Sequence, residues 1–150
     1  MTGRRTVLRA AVIVVGLAAL LAFILTGCPS NRDGMSGRLA QARDEAESAA
    51  RSAALALDLW ADGHSTQKLV CVQLADNRDE VVKAYKGIAE LKAEDPVDVG
   101  RQKMLTDSMT SIVGQLNSAN AAARGLLTSD PRALSRDLTA AADALADTYR

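Results

Sequence analysis

Leu39, Ala42, Ala46, Ala49, Ala53, Ala56 and Trp60 follow one another in steps of three and four. That spacing restricts the segment to one structure, because an α-helix turns once in about 3.6 residues and these positions then fall on a single face. A strand would send the members of this series alternately to opposite sides. The face is nearly all alanine, so its backbone must approach neighbouring elements closely, with Trp60 as the one bulky plug near the end of the helix. Asp62-Gly63-His64-Ser65 stops it: glycine suits the left-handed position just past a helix, and Ser65 is the predicted cap of the next one.

The same spacing continues down the chain. A second helix is predicted over residues 66–92, with Cys71, Leu74, Ala75, Val81, Val82, Tyr85, Ile88 and Ala89 on its inner side and Asp95-Pro96 as its terminator. A third begins near Asp98 and carries Leu105, Met109, Ile112, Leu116, Ala119, Ala123 and Leu126 in register. Ser129-Asp130-Pro131 restarts the chain, since Asp130 can cap and Pro131 fits the first helical position. A shorter fourth helix follows with Leu134, Leu138, Ala141 and Leu145. No segment alternates as a strand does. The expected fold class is all-α: an antiparallel up-down-up-down bundle of about four helices over residues 38–150. In that topology the 62–65 and 128–131 turns share one end. The 94–100 connection and the C-terminal Tyr149-Arg150 share the other.

The chain before the bundle differs in kind. Residues 10–27 contain no charge, and three of the 18 basic residues, Arg4, Arg5 and Arg9, precede them. All 18 acidic residues come later, so the part after Cys28 carries a net charge of −3. This has the form of a signal segment over residues 1–27, a basic stretch and an apolar stretch ending in small residues. Residues 28–37, rich in Pro, Ser, Asn, Asp and Gly, have the composition of a flexible tether.

Leu25-Thr26-Gly27-Cys28 resembles the lipobox of bacterial lipoproteins, a family defined by its export signal rather than its fold. The resemblance implies that the Cys28 thiol receives a diacylglyceryl group and that the peptidase, recognising Leu25, Thr26 and Gly27, cuts just before it. Cys28 would then be a lipid anchor in the cell membrane, with the bundle on the extracytoplasmic face. Two acyl chains attach stably where one attaches marginally. The alternative is an uncleaved membrane helix over residues 10–27, which is near the lower limit of the roughly 20 residues needed to span a bilayer. Either way Arg4, Arg5 and Arg9 stay inside. Gly3-Arg4-Arg5-Thr6-Val7-Leu8-Arg9 also resembles the twin-arginine export signal, with Gly3 where Ser or Thr is usual. High Ala, Arg and Asp with few Lys resembles the composition of helical lipoproteins from high-GC Gram-positive bacteria.

Little in the bundle sequence carries chemistry. His64 is the only histidine and sits in a turn. With Cys71 as the one other soft ligand no metal spacing emerges, so neither a metal nor a cofactor is expected. Gly87, Gly114 and Gly125 lie scattered in helical segments rather than in a phosphate loop, and no nucleophile stands beside a base. The reading is of a protein that is not an enzyme. Nor does it bind nucleic acid, for which a basic face with aromatics would be needed.

Cys71 is expected to be a buried small hydrophobe, against an intermolecular disulfide as the alternative. Arg78 falls within the apolar stripe, where it would snorkel out or pair with a carboxylate, or else line a ligand cleft. Asn117 and Asn120 are candidates for fixing helix register. The function classes left open are a binding or scaffolding module for an envelope protein partner, a carrier of an apolar ligand in a cavity lined by Leu105, Met109 and Tyr85, and a coiled-coil homo-oligomer.

Overall fold

The computed structural model describes residues 34–147, which belong to one compact unit. Arg4, Arg5, Arg9, Leu25, Thr26, Gly27, Cys28 and the terminal Tyr149-Arg150 lie outside the described residues, as does most of the tether. The described chain is four α-helices: α1 Met35–Ala61, α2 Gln67–Ala89, α3 Pro96–Ala123 and α4 Pro131–Asp147. Among the described residues there is no strand, and no helix is long and apolar enough to cross a membrane. The all-α, up-down-up-down bundle expected from the spacing is the fold.

The helix ends at the three connections have local causes. α1 ends in a Schellman motif: Gly63, at φ 75°, donates its N–H to the Trp60 carbonyl at 3.0 Å, and His64 donates to that of Leu59 at 2.8 Å. α3 ends in the same way, with Gly125 at φ 74° donating to Ala122 and Leu126 donating to Ala121, both at 2.9 Å. Gly125 is therefore a helix terminator, not an interior residue, and Leu126 lies past the helix with 72 % of its surface exposed. The cap of α2 is Thr66 rather than Ser65, its hydroxyl accepting from the Leu69 N–H at 3.2 Å.

Asp95 caps α3 by accepting from the Val97 N–H at 2.7 Å, so α3 begins at Pro96, two residues before the expected Asp98. Asp130 caps α4, accepting from the Arg132 N–H at 3.1 Å. α2 stops at Ala89, ahead of residue 92. The Gln102 side chain of α3 donates to the carbonyls of Ile88 at 2.6 Å and Leu91 at 2.9 Å, tying the end of α2 and the chain just past it to α3.

The core depends on α1. It buries Leu39, Ala42, Ala46, Ala49, Ala50, Ala53, Ala54, Ala56 and Leu57, a wider face than the three-four series alone marks. With side chains no larger than a methyl at seven of these nine positions, α1 packs against all three other helices, while α2 and α4 do not touch each other. Bulk comes from the partners: Val70, Leu74, Val81 and Ile88 of α2, Leu105, Met109, Ile112 and Leu116 of α3, and Leu138 and Leu145 of α4. Trp60 is half-buried against this core.

Ala53→Leu is expected to destabilise the bundle by about 1–3 kcal/mol, because three added carbons must enter a seam where Ala53 is fully buried. Leu138→Ala should cost about 2–5 kcal/mol by leaving a cavity. Gln41→Leu on the exposed side of α1 should change stability by less than about 0.5 kcal/mol. Urea unfolding followed by circular dichroism measures all three, and a neutral Ala53→Leu would disprove the tight seam.

Candidate functional site

The end of the bundle where α1 passes into α2 and α3 into α4 holds His64, with Cys71 and Asn120 close to it. Arg132 of α4 pairs with Asp62, the residue capping the end of α1, and Gln67 Nε2 donates to the Ala123 carbonyl at 2.7 Å. These bonds bring the two turns together, as the antiparallel order requires. Further along, Arg51 bridges α1 to α4, its Nη2 lying 3.0 Å from Glu47 and 2.9 Å from Asp143. Those bonds, to Glu47 first and then to Asp143, raise the affinity of the guanidinium for its proton.

His64 is exposed in the first turn. Among the described residues no group of three His, Cys, Asp or Glu side chains is placed to hold a metal ion. Leu105 and Met109 are fully buried, whereas Tyr85 is 36 % exposed, so the three are not brought together as a cavity lining.

Two expectations on α2 need correction. Its buried stripe is Val70, Leu74, Val81, Ala84 and Ile88, turned by about one residue from the expected face. Leu69 to Val72 is an unbroken apolar run, and Val81-Val82 is another, so the sequence leaves the phase of this helix undetermined. Cys71 is consequently half-buried at the edge of the core, while Tyr85 and Ala89 are exposed.

The amides divide. Asn120 Nδ2 donates to the Cys71 carbonyl at 3.1 Å and so does fix the register of α3 on α2. Asn117 is exposed and is not placed to share that role. Gln67 and Gln102, which do share it, were not singled out from the sequence, where a glutamine on a helix has no distinguishing pattern.

Arg78 pairs with a carboxylate, as one of its readings expects. Its Nε donates to Asp79 Oδ1 at 3.1 Å, and it also lines a groove of about 300 Å³ between α2 and α3 with Leu74, Leu116, Asn120, Arg124 and Leu126. Three other described depressions each contain carboxylates: Asp44, Glu45 and Glu80 in one between α1 and α2, Asp58 and Asp143 between α1 and α4, and Asp137 between α3 and α4. The α2–α3 groove has none among its lining residues. Its two arginines, two asparagines and aliphatic walls can hold an anionic group beside an apolar one.

No family model, curated protein or solved structure matches the chain.

The half-buried position of Cys71 sets how it reacts. A maleimide should modify it in the native state, more slowly than in denaturant, and Cys71→Ser should cost about 1 kcal/mol or less, since a hydroxyl at the core edge can still reach water. Stopped-flow labelling and urea unfolding provide the two readings. Complete native-state protection would show instead that the side chain is sealed in the core.

Proposed function

We propose that this chain is an extracytoplasmic lipoprotein, anchored in the cell membrane through Cys28, whose helical bundle serves as a non-catalytic binding or scaffolding module for a protein partner in the cell envelope. The observation that carries the reading is the uncharged run over residues 10–27 ending at Leu25-Thr26-Gly27-Cys28, behind Arg4, Arg5 and Arg9. A bundle that starts at Met35 supports it, because only a short tether separates the acylated cysteine from the first helix. The net charge of −3 after Cys28 suits a domain held at an anionic membrane without lying on it.

Cys28→Ala is expected to abolish incorporation of a fatty-acid probe and to leave an unprocessed precursor held by its apolar segment. Metabolic labelling followed by gel analysis reads both effects, and equal labelling of the wild type and the variant would refute the anchor.

A second measurement tests the orientation that follows from the anchor. α1 has 27 residues and rises about 40 Å from its first residue, so His64 would stand far from the membrane and Val97 near it. A fluorophore at residue 97 should be quenched by labelled lipid much more strongly than one at residue 64. Equal quenching would mean that the bundle lies flat.

A further inference from the structure

We propose that the groove between α2 and α3 receives an acidic amphipathic helix of a protein partner, and that Arg78 and Arg124 select it by charge. The inference rests on the reading of the bundle as a binding module and gives that module a place and a chemistry.

The groove is built from both helices. Leu74 and Leu116, both at 0 % exposure, lie beneath it, and the apolar surface it offers comes from the half-buried Ala75 and Ala121 and from Leu126, exposed beyond the end of α3 at its edge. An exposed leucine beside two half-buried alanines offers an anchoring contact to an incoming apolar side chain. A furrow between two packed helices has the shape that accepts a third.

The charges say which third helix. Among the four described depressions only this one is lined by cations with no carboxylate among its lining residues, although the chain beyond Cys28 is acidic on balance. Arg124 makes no ion pair with any described residue. Arg78 spends its Nε and Nη2 on Asp79, and a guanidinium has five N–H groups, so donors remain. An acidic helix would meet both arginines, whereas a basic one would be repelled.

The spacing of the charges can be read from the register. Gln67 bonds Ala123, Asn120 bonds Cys71 and Gln102 bonds Ile88, so Arg78 is level with about residue 113 and Arg124 with about residue 66. The two arginines start about twelve residues apart along the groove, roughly 18 Å at 1.5 Å per residue. Both reach into the same depression, which brings their heads closer together. Carboxylates roughly 10–17 Å apart on one face of a helix, at i and i+7 or i and i+11, match that interval.

The test uses the full chain in nanodiscs of zwitterionic lipid. The probe is a fluorescein-labelled amphipathic helical peptide of about 18 residues with an aliphatic face, bearing two glutamates at i and i+11 and otherwise uncharged. Anisotropy titration should show saturable binding, weakened roughly tenfold or more when both glutamates become glutamine, and similarly by Arg124→Ala or Arg78→Gln. Arg124→Glu should reverse the preference toward a peptide with lysines in place of the glutamates. Far-UV circular dichroism and urea unfolding of each variant establish that the bundle is intact; Arg124 lies on the surface past α3.

Absence of saturable binding, equal affinity for the glutamate and glutamine peptides, or indifference to both arginine substitutions would overturn the proposal. Photo-crosslinking from residue 126 in envelope membranes separates this failure from that of the underlying reading. A partner retained by an Arg78→Gln/Arg124→Ala double variant would overturn the groove and leave the binding module standing. A wild-type chain that captures nothing would overturn the module, and the peptide titration then decides the groove alone.

Discussion

The close seam along α1 is the constraint on which the other packing depends. Burying a methyl instead of an isobutyl group removes less apolar surface from water, at about 25 cal/mol for each Å². In exchange the helix axes draw together, and the backbone atoms themselves gain dispersion contacts. The consequence is geometric: α1 reaches the diagonal helix α3 as well as its two neighbours, and α2 and α4 are kept apart. A bundle with leucine along all four inner faces would be rounder. Here the large side chains sit opposite the alanines, so the two kinds of surface interlock as a large-to-small match.

Around this seam polar groups fix what apolar packing leaves free. Alanine faces tolerate sliding, since one methyl resembles the next, and a register needs directional bonds. Gln67, Gln102 and Asn120 supply them by donating to backbone carbonyls across the α2–α3 pair. Two of these, from Gln67 and Gln102, reach carbonyls in the last turn of a helix, where intrahelical donors run out. Arg51 and Arg132 make the corresponding links from α1 to α4 as ion pairs at the surface, where each is worth little alone.

Much of this architecture was legible in the sequence. The alanine series of α1, the glycine at residue 63, the Asp130-Pro131 restart and the four-helix order follow from periodicity and turn chemistry alone. Legibility stopped where the sequence is degenerate. Four consecutive apolar residues at 69–72 permit more than one rotation of α2, and burial against α1 chose Val70 over Cys71. Leu126 continues the three-four spacing from Ala123 and so draws Gly125 into the helix on sequence grounds, although its left-handed backbone ends α3. Ser65 and Thr66 are both competent caps, and only the local chain path selected the second. The sequence raises a cleft at Arg78 but not its partner, because Arg124 is 46 positions away in the chain and is brought near only by the register of two helices.

The position of α1 also determines how the domain would carry a mechanical load. Tension entering through the N-terminal end of α1 runs along the helix axis, parallel to the three surfaces it shares. Those surfaces are loaded in shear, so many small contacts resist together and none can be peeled open in sequence. Tension on the C-terminal end of α4 also runs along a helix axis but loads two surfaces, because α4 touches α1 and α3 and not α2. The two ends of the chain therefore differ in how many surfaces share a load, three at the first helix and two at the last.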